Sequence, residues 1–154
     1  MHEHILIATD GSDLARKAVV EGLNFAKAIG AQVTIATVTE PWATQMVGEA
    51  AIAFPYEVYN KTMAANASDI LAGASDTARS ANVPCSTVHV RERHAAEGIL
   101  EAAKANNCDL IVMASHGRRG HHEAHAWQSD SEGGDAHRHS RIDLSLTGVV
   151  ENNL

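Results

Sequence analysis

Three short segments of this chain are almost entirely apolar, and they restrict the fold more than any other feature. They are HILIAT at residues 4–9, QVTIATV at residues 32–38 and DLIVMA at residues 109–114. Short runs of this kind, rich in Val and Ile, are typical of strands that are buried on both faces. Such strands occur almost only in parallel sheets that helices cover on both sides. The sequence therefore predicts an α/β protein.

Amphipathic helices are predicted between these strands. Apolar residues recur at helical spacing over residues 14–29, and Gly30 stands where a glycine commonly ends a helix. Residues 57–82 and 97–107 are predicted to form two more helices, and the alternating segment at residues 83–90 a further strand. The resulting order β-α-β-α-β-α-β predicts a three-layer fold, a parallel sheet with helices on both faces.

The balance of charge changes near residue 120. The chain has 154 residues and a net charge of −7, and residues 121–154 contribute −4 of it, from 2 basic and 6 acidic side chains. Non-specific binding to nucleic acid needs a basic face, so the acidity argues against nucleic acid as a partner. The sequence therefore predicts one α/β domain over residues 1–120 and a distinct tail over residues 121–154.

The cysteines and the N-terminus indicate in which cellular compartment the protein is expected. Cys85 and Cys108 form no CxxC pair and are typical of reduced, buried thiols, with a disulfide as the alternative. In the N-terminal segment MHEHILIATD a strand is predicted from residue 4 onward, and the segment has no signal-peptide pattern. The apolar runs are too short to span a bilayer. We therefore expect a cytoplasmic protein with no membrane partner.

The segment ATDGS, residues 8–12, follows the first predicted strand. Ligands of parallel α/β sheets bind beyond the carboxyl ends of the strands, at a topological switch point. Asp10 and the backbone around it could contact a base, a ribose or a metal bound to phosphate. The alternative is an ordinary strand-to-helix turn in which Asp10 or Ser12 caps the helix.

The segment MASHGRRG, residues 113–120, begins with the last two residues of the third apolar run. Its two glycines allow backbone N–H groups to approach phosphate, and Arg118 and Arg119 could add cationic contacts; a plain turn is the alternative. His116 could assist slow hydrolysis or be a hydrogen-bonded loop histidine. Since the sequence contains no Walker A lysine and no recognisable Ser-His-Asp set, we expect a binding protein and not an enzyme.

Together these motifs resemble the universal stress protein family, over residues 3–120. The resemblance includes ILIATDGS, TVTEP after the second strand, and the block AAEGILEAAKANNCDLIVMASHGRRG. It implies a five-stranded parallel sheet of the adenine nucleotide alpha hydrolase-like type, usually in a homodimer. It also implies a role in stress response or signalling, with ATP, accompanied by Mg, or a related adenine nucleotide as ligand. ATP-binding members of the family carry the motif G-x2-G-x9-G-[ST].

The resemblance also implies a set of site residues. The residues near ATDG and the valine after the second strand would contact adenosine, and those after the fourth strand ribose and phosphate. Ala114 stands at the first glycine of the motif and still permits close backbone approach, while Gly117 matches the second. The cofactor-binding residues expected on this basis are Ala8, Thr9, Asp10, Val38, Met113, Ala114, His116 and Gly117.

The tail departs from the family pattern. Trp127 and Gln128 stand where the motif requires Gly-Ser, and the helix and strand that end the family fold are not recognisable. We therefore expect the fifth strand to be missing, the fourth to be an open edge, and the family's homodimer to be doubtful here. Few bulky apolar residues offset the ordering entropy of residues 121–154, so we expect an aberrant, disordered tail.

Two alternative functions remain open at the level of sequence. The chain could be an interaction protein that binds no nucleotide and works by dimerising. It could also bind metal, because the tail has donors that suit zinc, nickel or copper, although HHEAH is one residue short of an HExxH motif. These donors are His121, His122, Glu123, His125, His137 and His139.

A frameshift would explain why the resemblance stops. Read one nucleotide late from His121, the codons permit the sequence TTRLMLGSQTQKVVTHTDIPVLI. Its glycine is independent of codon choice, because Trp127 is TGG and every Gln128 codon begins with C. That glycine lies where the family motif requires one, and Pro-Val-Leu falls where the last family strand would begin.

We predict that the coding DNA permits Gly-Ser at residues 127 and 128, and Pro-Val-Leu at residues 139–142, in this shifted frame. This prediction follows from the hypothesis that residues 121–154 are an out-of-frame translation of a family C-terminus. Sequencing the gene is the measurement. Codons that exclude Gly-Ser and Pro-Val-Leu in that frame would reject the hypothesis.

Overall fold

The computed structural model describes residues 2–116, 122–129 and 139–143, with side-chain surroundings described for residues 2–114. Its elements, in chain order, are β1 His4–Ala8, α1 Asp13–Ile29, β2 Gln32–Thr39, α2 Trp42–Gln45, α3 Glu49–Ala53, α4 Tyr56–Ser80, β3 Cys85–Arg91, α5 Ala95–Ala105, β4 Leu110–His116, β5 His122–Ser129 and β6 His139–Asp143. The four predicted strands and three predicted long helices are all present, with ends that differ by at most two residues.

The strands form one sheet in the order β3-β2-β1-β4-β5-β6. β1 lies between β2 and β4 and is parallel to both, since Ile5 faces Val33 on one side and Leu110 on the other. β3 pairs in parallel with β2. The predicted parallel α/β sheet is therefore confirmed for β1 to β4.

The two faces of β1 belong to two different cores, which explains why the strand is apolar throughout. Ile5 and Ile7 pack with residues of α1 and α4, whereas Leu6 and Ala8 pack with residues of α5. Because helices cover both faces of the sheet, neither set of alternating side chains in β1 faces solvent, and both sets are apolar. This arrangement confirms the three layers expected from the sequence.

Helix α1 begins and ends with the capping chemistry that the sequence indicates. The Ser12 hydroxyl accepts a hydrogen bond from the Ala15 N–H at 3.2 Å. Gly30 adopts a left-handed conformation, with φ of 70°, and its N–H bonds to the carbonyls of Ala26 and Lys27. Glycine takes this conformation without the steric cost that other residues meet. The Ser12 cap therefore determines where α1 starts after β1, and Gly30 determines where it ends.

The region between β2 and α4 is more regular than the sequence suggests. Residues 40–56 contain the short helices α2 and α3, and Pro41 and Pro55 stand at the N-caps of α2 and α4. The Trp42 indole N–H donates to the Phe54 carbonyl at 2.9 Å, which closes the segment on itself. Single helical turns between prolines are too short to produce a recognisable periodic pattern.

The sheet continues past β4. The expectation that β4 forms an open edge of the sheet is therefore wrong. β5 pairs antiparallel with β4, from Leu110 opposite Gln128 to His116 opposite His122, and β6 pairs antiparallel with β5. The expectation of a tail without regular structure is therefore wrong for residues 122–129 and 139–143. The other tail residues lie outside the described part of the chain. No further parallel strand is found among the described residues.

The edge of β4 accounts for these two strands physically. An edge strand presents a row of unpaired N–H and C=O groups, and a following segment can pair with them after a short connection. The segment HEAHAWQS has no β-branched residues, so its own sequence does not indicate a strand. Backbone pairing with the neighbouring strand outweighs this weak propensity, because strand formation depends more on context than on the residues themselves.

The two cysteines should differ in reactivity. Cys108 is 8% exposed, and burial raises the pKa of its thiol to about 11, which the Thr34 hydroxyl only partly offsets. At pH 8 only roughly one Cys108 thiol in a thousand is then ionised. We expect iodoacetamide at pH 8 to modify the half-buried Cys85 in the native protein, and Cys108 only in urea, as read by mass spectrometry of peptides. Equal native rates would contradict the described packing of Cys108.

Candidate ligand-binding site

A cavity of about 180 Å³ lies at the carboxyl ends of β1, β2 and β4. The chain extends the sheet from β1 through β2 to β3 on one side, and β4 lies on the other side of β1. This reversal of strand order is the topological switch point at which α/β sheets bind ligands. The cavity is lined by Ala8, Thr9, Asp10, Ser12, Leu14, Ala15, Ala36, Val38, Ala95, Ile99, Met113 and Ala114. We call this cavity the cleft.

The structure brings together six of the eight site residues expected from the sequence. Those six line the cleft: Ala8, Thr9, Asp10, Val38, Met113 and Ala114. His116 is the last residue of β4, and its side chain lies outside the described part. Gly117 also lies outside the described residues. That these residues contact a nucleotide stays a prediction.

The turn after β1 places one carboxylate at the cleft. The Thr9 N–H donates to the Ala36 carbonyl at 2.9 Å, which continues the pairing of β1 with β2 beyond the strand. Asp10 then accepts a hydrogen bond from the Ser12 N–H at 2.9 Å, and its side chain is exposed. The hydroxyl of Ser12 caps α1. The turn therefore combines an ordinary helix start with an exposed acidic group at the cleft.

Gly11 is required at this turn for two reasons. Its φ of 79° lies in the left-handed region, and a Cβ there would stand 2.8 Å from Cγ1 of Ile70 on α4. A side chain at this position would therefore be strained and would meet α4. Two further cavities, of about 580 Å³ and 230 Å³, also include Asp10 in their walls and lie toward α4.

Glu40 determines where α5 begins, and the sequence did not reveal this role. One carboxylate oxygen accepts from the Ala95 N–H at 3.0 Å, and the other lies 2.9 Å from Nδ1 of His94. The Tyr59 hydroxyl donates to the Glu40 carbonyl at 2.7 Å. Burial, and then the charges of Glu40 and Glu92, raise the pKa of Tyr59, so it keeps its proton at neutral pH. Tyr59 can therefore donate this hydrogen bond to Glu40 throughout the physiological pH range.

Gly98 allows α5 to approach the sheet closely. A Cβ at this position would lie 2.7 Å from Cγ1 and 2.9 Å from Cγ2 of Val38. Val38 lines the cleft from β2, and Ile99 and Ala95 line it from α5. The contact between Gly98 and Val38 therefore determines the width of the cleft on this side. The only sign of this contact in the sequence is one glycine inside a helical pattern. This sign is weak, because a helix also tolerates a glycine where nothing packs closely against it.

The composition of the cleft suits a flat, partly apolar ligand. Its wall consists mainly of aliphatic carbon, with the hydroxyls of Thr9 and Ser12 and the carboxylate of Asp10 at one end. Ligand sites of this kind bind through apolar contact and take orientation from a few polar groups. Among the side chains that the structure describes, no group of three or more His, Cys, Asp or Glu residues could hold a metal ion.

The fold and cleft define a class: a doubly wound α/β protein with a cleft at its topological switch point. The model of the family described as "Universal stress protein family" matches residues 1–127, which is most of the chain. The chain belongs to this family. No curated protein matches this chain.

Several solved structures similar to the chain are universal stress proteins. A member from Burkholderia pseudomallei is 24% identical, with 74% of this chain and 82% of that one covered and a TM-score of 0.62. UspA from Lactobacillus plantarum is 25% identical, with coverages of 71% and 74% and a TM-score of 0.58. A universal stress protein in complex with cAMP is 25% identical, with coverages of 73% and 71% and a TM-score of 0.51. Within the described residues, no helix is long and apolar enough to cross a membrane.

Two glycine substitutions should have opposite effects on stability. Gly98→Ala places a methyl group against Val38, and we expect overpacking of about 1–3 kcal/mol to exceed the gain in helix propensity of about 0.5–1 kcal/mol. Gly73→Ala in α4 is the matched control, because nothing lies within 4 Å of its new methyl group. Urea denaturation should show a lower midpoint for G98A and an equal or higher midpoint for G73A. A G98A midpoint at or above that of the wild type would contradict the close approach of α5.

Proposed function

We propose that this universal stress protein family member is a binding module for an adenine nucleotide, ATP or a related compound, in stress response or signalling. Mg would accompany ATP, and the compartment would be the cytoplasm. The observation that carries the proposal is the convergence of three strand ends, from β1, β2 and β4, on one cleft at the switch point. Ligand sites of α/β sheets are found at this place.

The chemistry of the cleft supports an adenosine-like ligand. The side chains of Val38, Ile99 and Met113 provide apolar surface for a flat base, and the methionine can adapt its shape to a ring. The Asp10 carboxylate provides an acceptor for ribose hydroxyls. The described residues thus offer separate contacts for a base and for a sugar.

A relative gives the second line of support. A universal stress protein 25% identical to this chain was solved in complex with cAMP. Its fold is shared by this chain, and cAMP contains the adenine and ribose for which the cleft provides contacts. Adenine nucleotides are therefore the ligand class to test first.

The proposed module binds its ligand and does not turn it over. Among the described residues that line the cleft, Asp10 is the single carboxylate, and there is no histidine, lysine or cysteine. General acid–base or nucleophilic catalysis needs such groups in contact with the reacting atoms. The dimeric interaction protein and the metal-binding tail stay alternative predictions, since the side chains of the tail lie outside the described part.

Substitution at the first residue of α5 tests the proposal. Ala95 lines the cleft and is exposed, so Ala95→Leu should fill part of the cleft without disturbing the core. We expect calorimetric titration of AMP and of Mg-ATP to give Kd values in the micromolar range for the wild type, roughly −8 kcal/mol. The Leu variant should bind at least about tenfold more weakly, because a loss of about 1.4 kcal/mol in contacts already gives that factor.

Ala96→Leu is the matched control, since Ala96 is the exposed neighbour in α5 and does not line the cleft. It should bind both nucleotides as the wild type does. An absence of detectable heat for the wild type up to millimolar nucleotide would reject the proposed function. Equal losses in the two variants would place the site elsewhere.

A further inference from the structure

We infer that a groove between α1 and α4 is a ligand site separate from the cleft. Its ligand would be a small amphoteric molecule of the dipeptide class, with an apolar body, one anionic end and one cationic end. The groove has a volume of about 580 Å³, and we call it the α1–α4 groove. Its wall includes Arg16, Val20, Asn66, Asp69, Ile70 and Gly73. None of these six residues lines the cleft, so binding here is independent of the proposed function.

The α1–α4 groove lies between two contacts that link the helices near their ends. Near β1 the turn before α1 touches α4, since a Cβ on Gly11 would stand 2.8 Å from Cγ1 of Ile70. At the other end the Lys27 ammonium group donates to the carbonyl of Ala81, just after α4, at 2.9 Å. The space between them is therefore preformed. Its volume lies within the range of about 300–1,000 Å³ that is typical of sites for small molecules.

Gly73 indicates that this open space has a role. Glycine inside a helix is less favourable than alanine, because it loses more backbone freedom on folding. The glycines inside α1 and α5, Gly22 and Gly98, lie against the sheet, where an added Cβ would stand 2.9 Å and 2.7 Å from its nearest neighbour. At Gly73 nothing lies within 4 Å of an added Cβ, so packing does not require a glycine there. The missing side chain leaves room in the α1–α4 groove, because Gly73 lines its wall.

The uncharged part of the wall suits a peptide with aliphatic side chains. Val20 of α1 is 46% exposed although it is a large apolar residue, and Ile70 of α4 is half-buried. An apolar ligand that covers this surface removes it from water, which is favourable. The amide of Asn66 provides both donors and an acceptor, as a peptide group requires.

Two opposite charges stand in the same wall. Arg16 and Asp69 are exposed, and neither side chain forms an ion pair or a hydrogen bond with another described residue. Arg16 can bind a carboxylate, and Asp69 can accept from an ammonium group. A simple anion would be attracted by one of them and repelled by the other, whereas a ligand with both charges can contact both. Asp10 also lines the groove beside β1 and already accepts from the Ser12 N–H, so it is assigned no part in binding.

Three dipeptides with the same apolar body test the inference, by calorimetric titration into the full chain. Leucyl-leucine carries both charges, N-acetyl-leucyl-leucine only the carboxylate, and leucyl-leucine amide only the ammonium group. We expect leucyl-leucine to bind with a Kd of about 1 mM or lower. Each blocked form should bind at least about threefold more weakly, as is typical of the loss of an exposed charge pair. A blocked form that binds as tightly as leucyl-leucine, or no binding of leucyl-leucine up to about 10 mM, would overturn the inference.

Removal of one wall charge should abolish one preference and leave the other. Arg16→Gln should bind leucyl-leucine amide at least as tightly as leucyl-leucine, while the acetylated form stays weaker. Asp69→Asn should bind the acetylated form at least as tightly as leucyl-leucine, while the amide stays weaker. Ratios that are unchanged in both variants would contradict binding between these two residues.

Gly73→Gln is the steric test, and Ala72→Gln is its matched control, because Ala72 is the exposed neighbour in α4 that does not line the α1–α4 groove. Because nothing lies near the new Cβ, G73Q should have a urea midpoint at or above that of the wild type. It should bind leucyl-leucine at least about tenfold more weakly, whereas A72Q should bind it as the wild type does. G73Q should also leave nucleotide binding at the cleft unchanged, so the two sites are tested separately. Undiminished leucyl-leucine binding in folded G73Q would overturn the inference.

Discussion

The rest of the structure depends on a central strand that is buried on both faces. Ile5, Leu6 and Ile7 of β1 are completely inaccessible to solvent. Because successive side chains of a strand point to opposite faces, one core forms between β1 and helices α1 and α4, and another between β1 and α5. Polar chemistry is therefore confined to the ends of the strand. At its carboxyl end the chain turns through Thr9 and Asp10, and the cleft begins there.

Close contact between helices and sheet determines the dimensions of the cleft. A Cβ on Gly22 of α1 would stand 2.9 Å from Cδ1 of Ile7, and one on Gly98 of α5 would stand 2.7 Å from Cγ1 of Val38. Each helix therefore lies nearer to the sheet than any larger residue would allow. The Glu40 carboxylate then determines the position of the first turn of α5. The shape of the cleft thus depends on residues outside its wall as well as on those that line it.

Local patterns in the sequence were sufficient to predict β1 to β4 and helices α1, α4 and α5. The six cleft residues were expected from the resemblance to the family, and they converge because the carboxyl ends of parallel strands meet at one edge. The link from Glu40 to Ala95 could not be predicted, because it joins positions 55 residues apart. Strands β5 and β6 were missed because β5 is formed by pairing with the edge of β4, and its own residues have weak strand propensity.

The hydrogen bond from Ala95 to Glu40 also has a consequence for how the protein folds. It connects the end of β2 with the start of α5, so its formation closes a loop that contains α4 and β3. Contacts of such long sequence separation form at a high entropic cost and are typical of late steps in folding. The shape of the cleft is therefore a property of the completed domain. Any ligand that binds it selects the native state, and its binding free energy adds to the stability of the whole α/β unit.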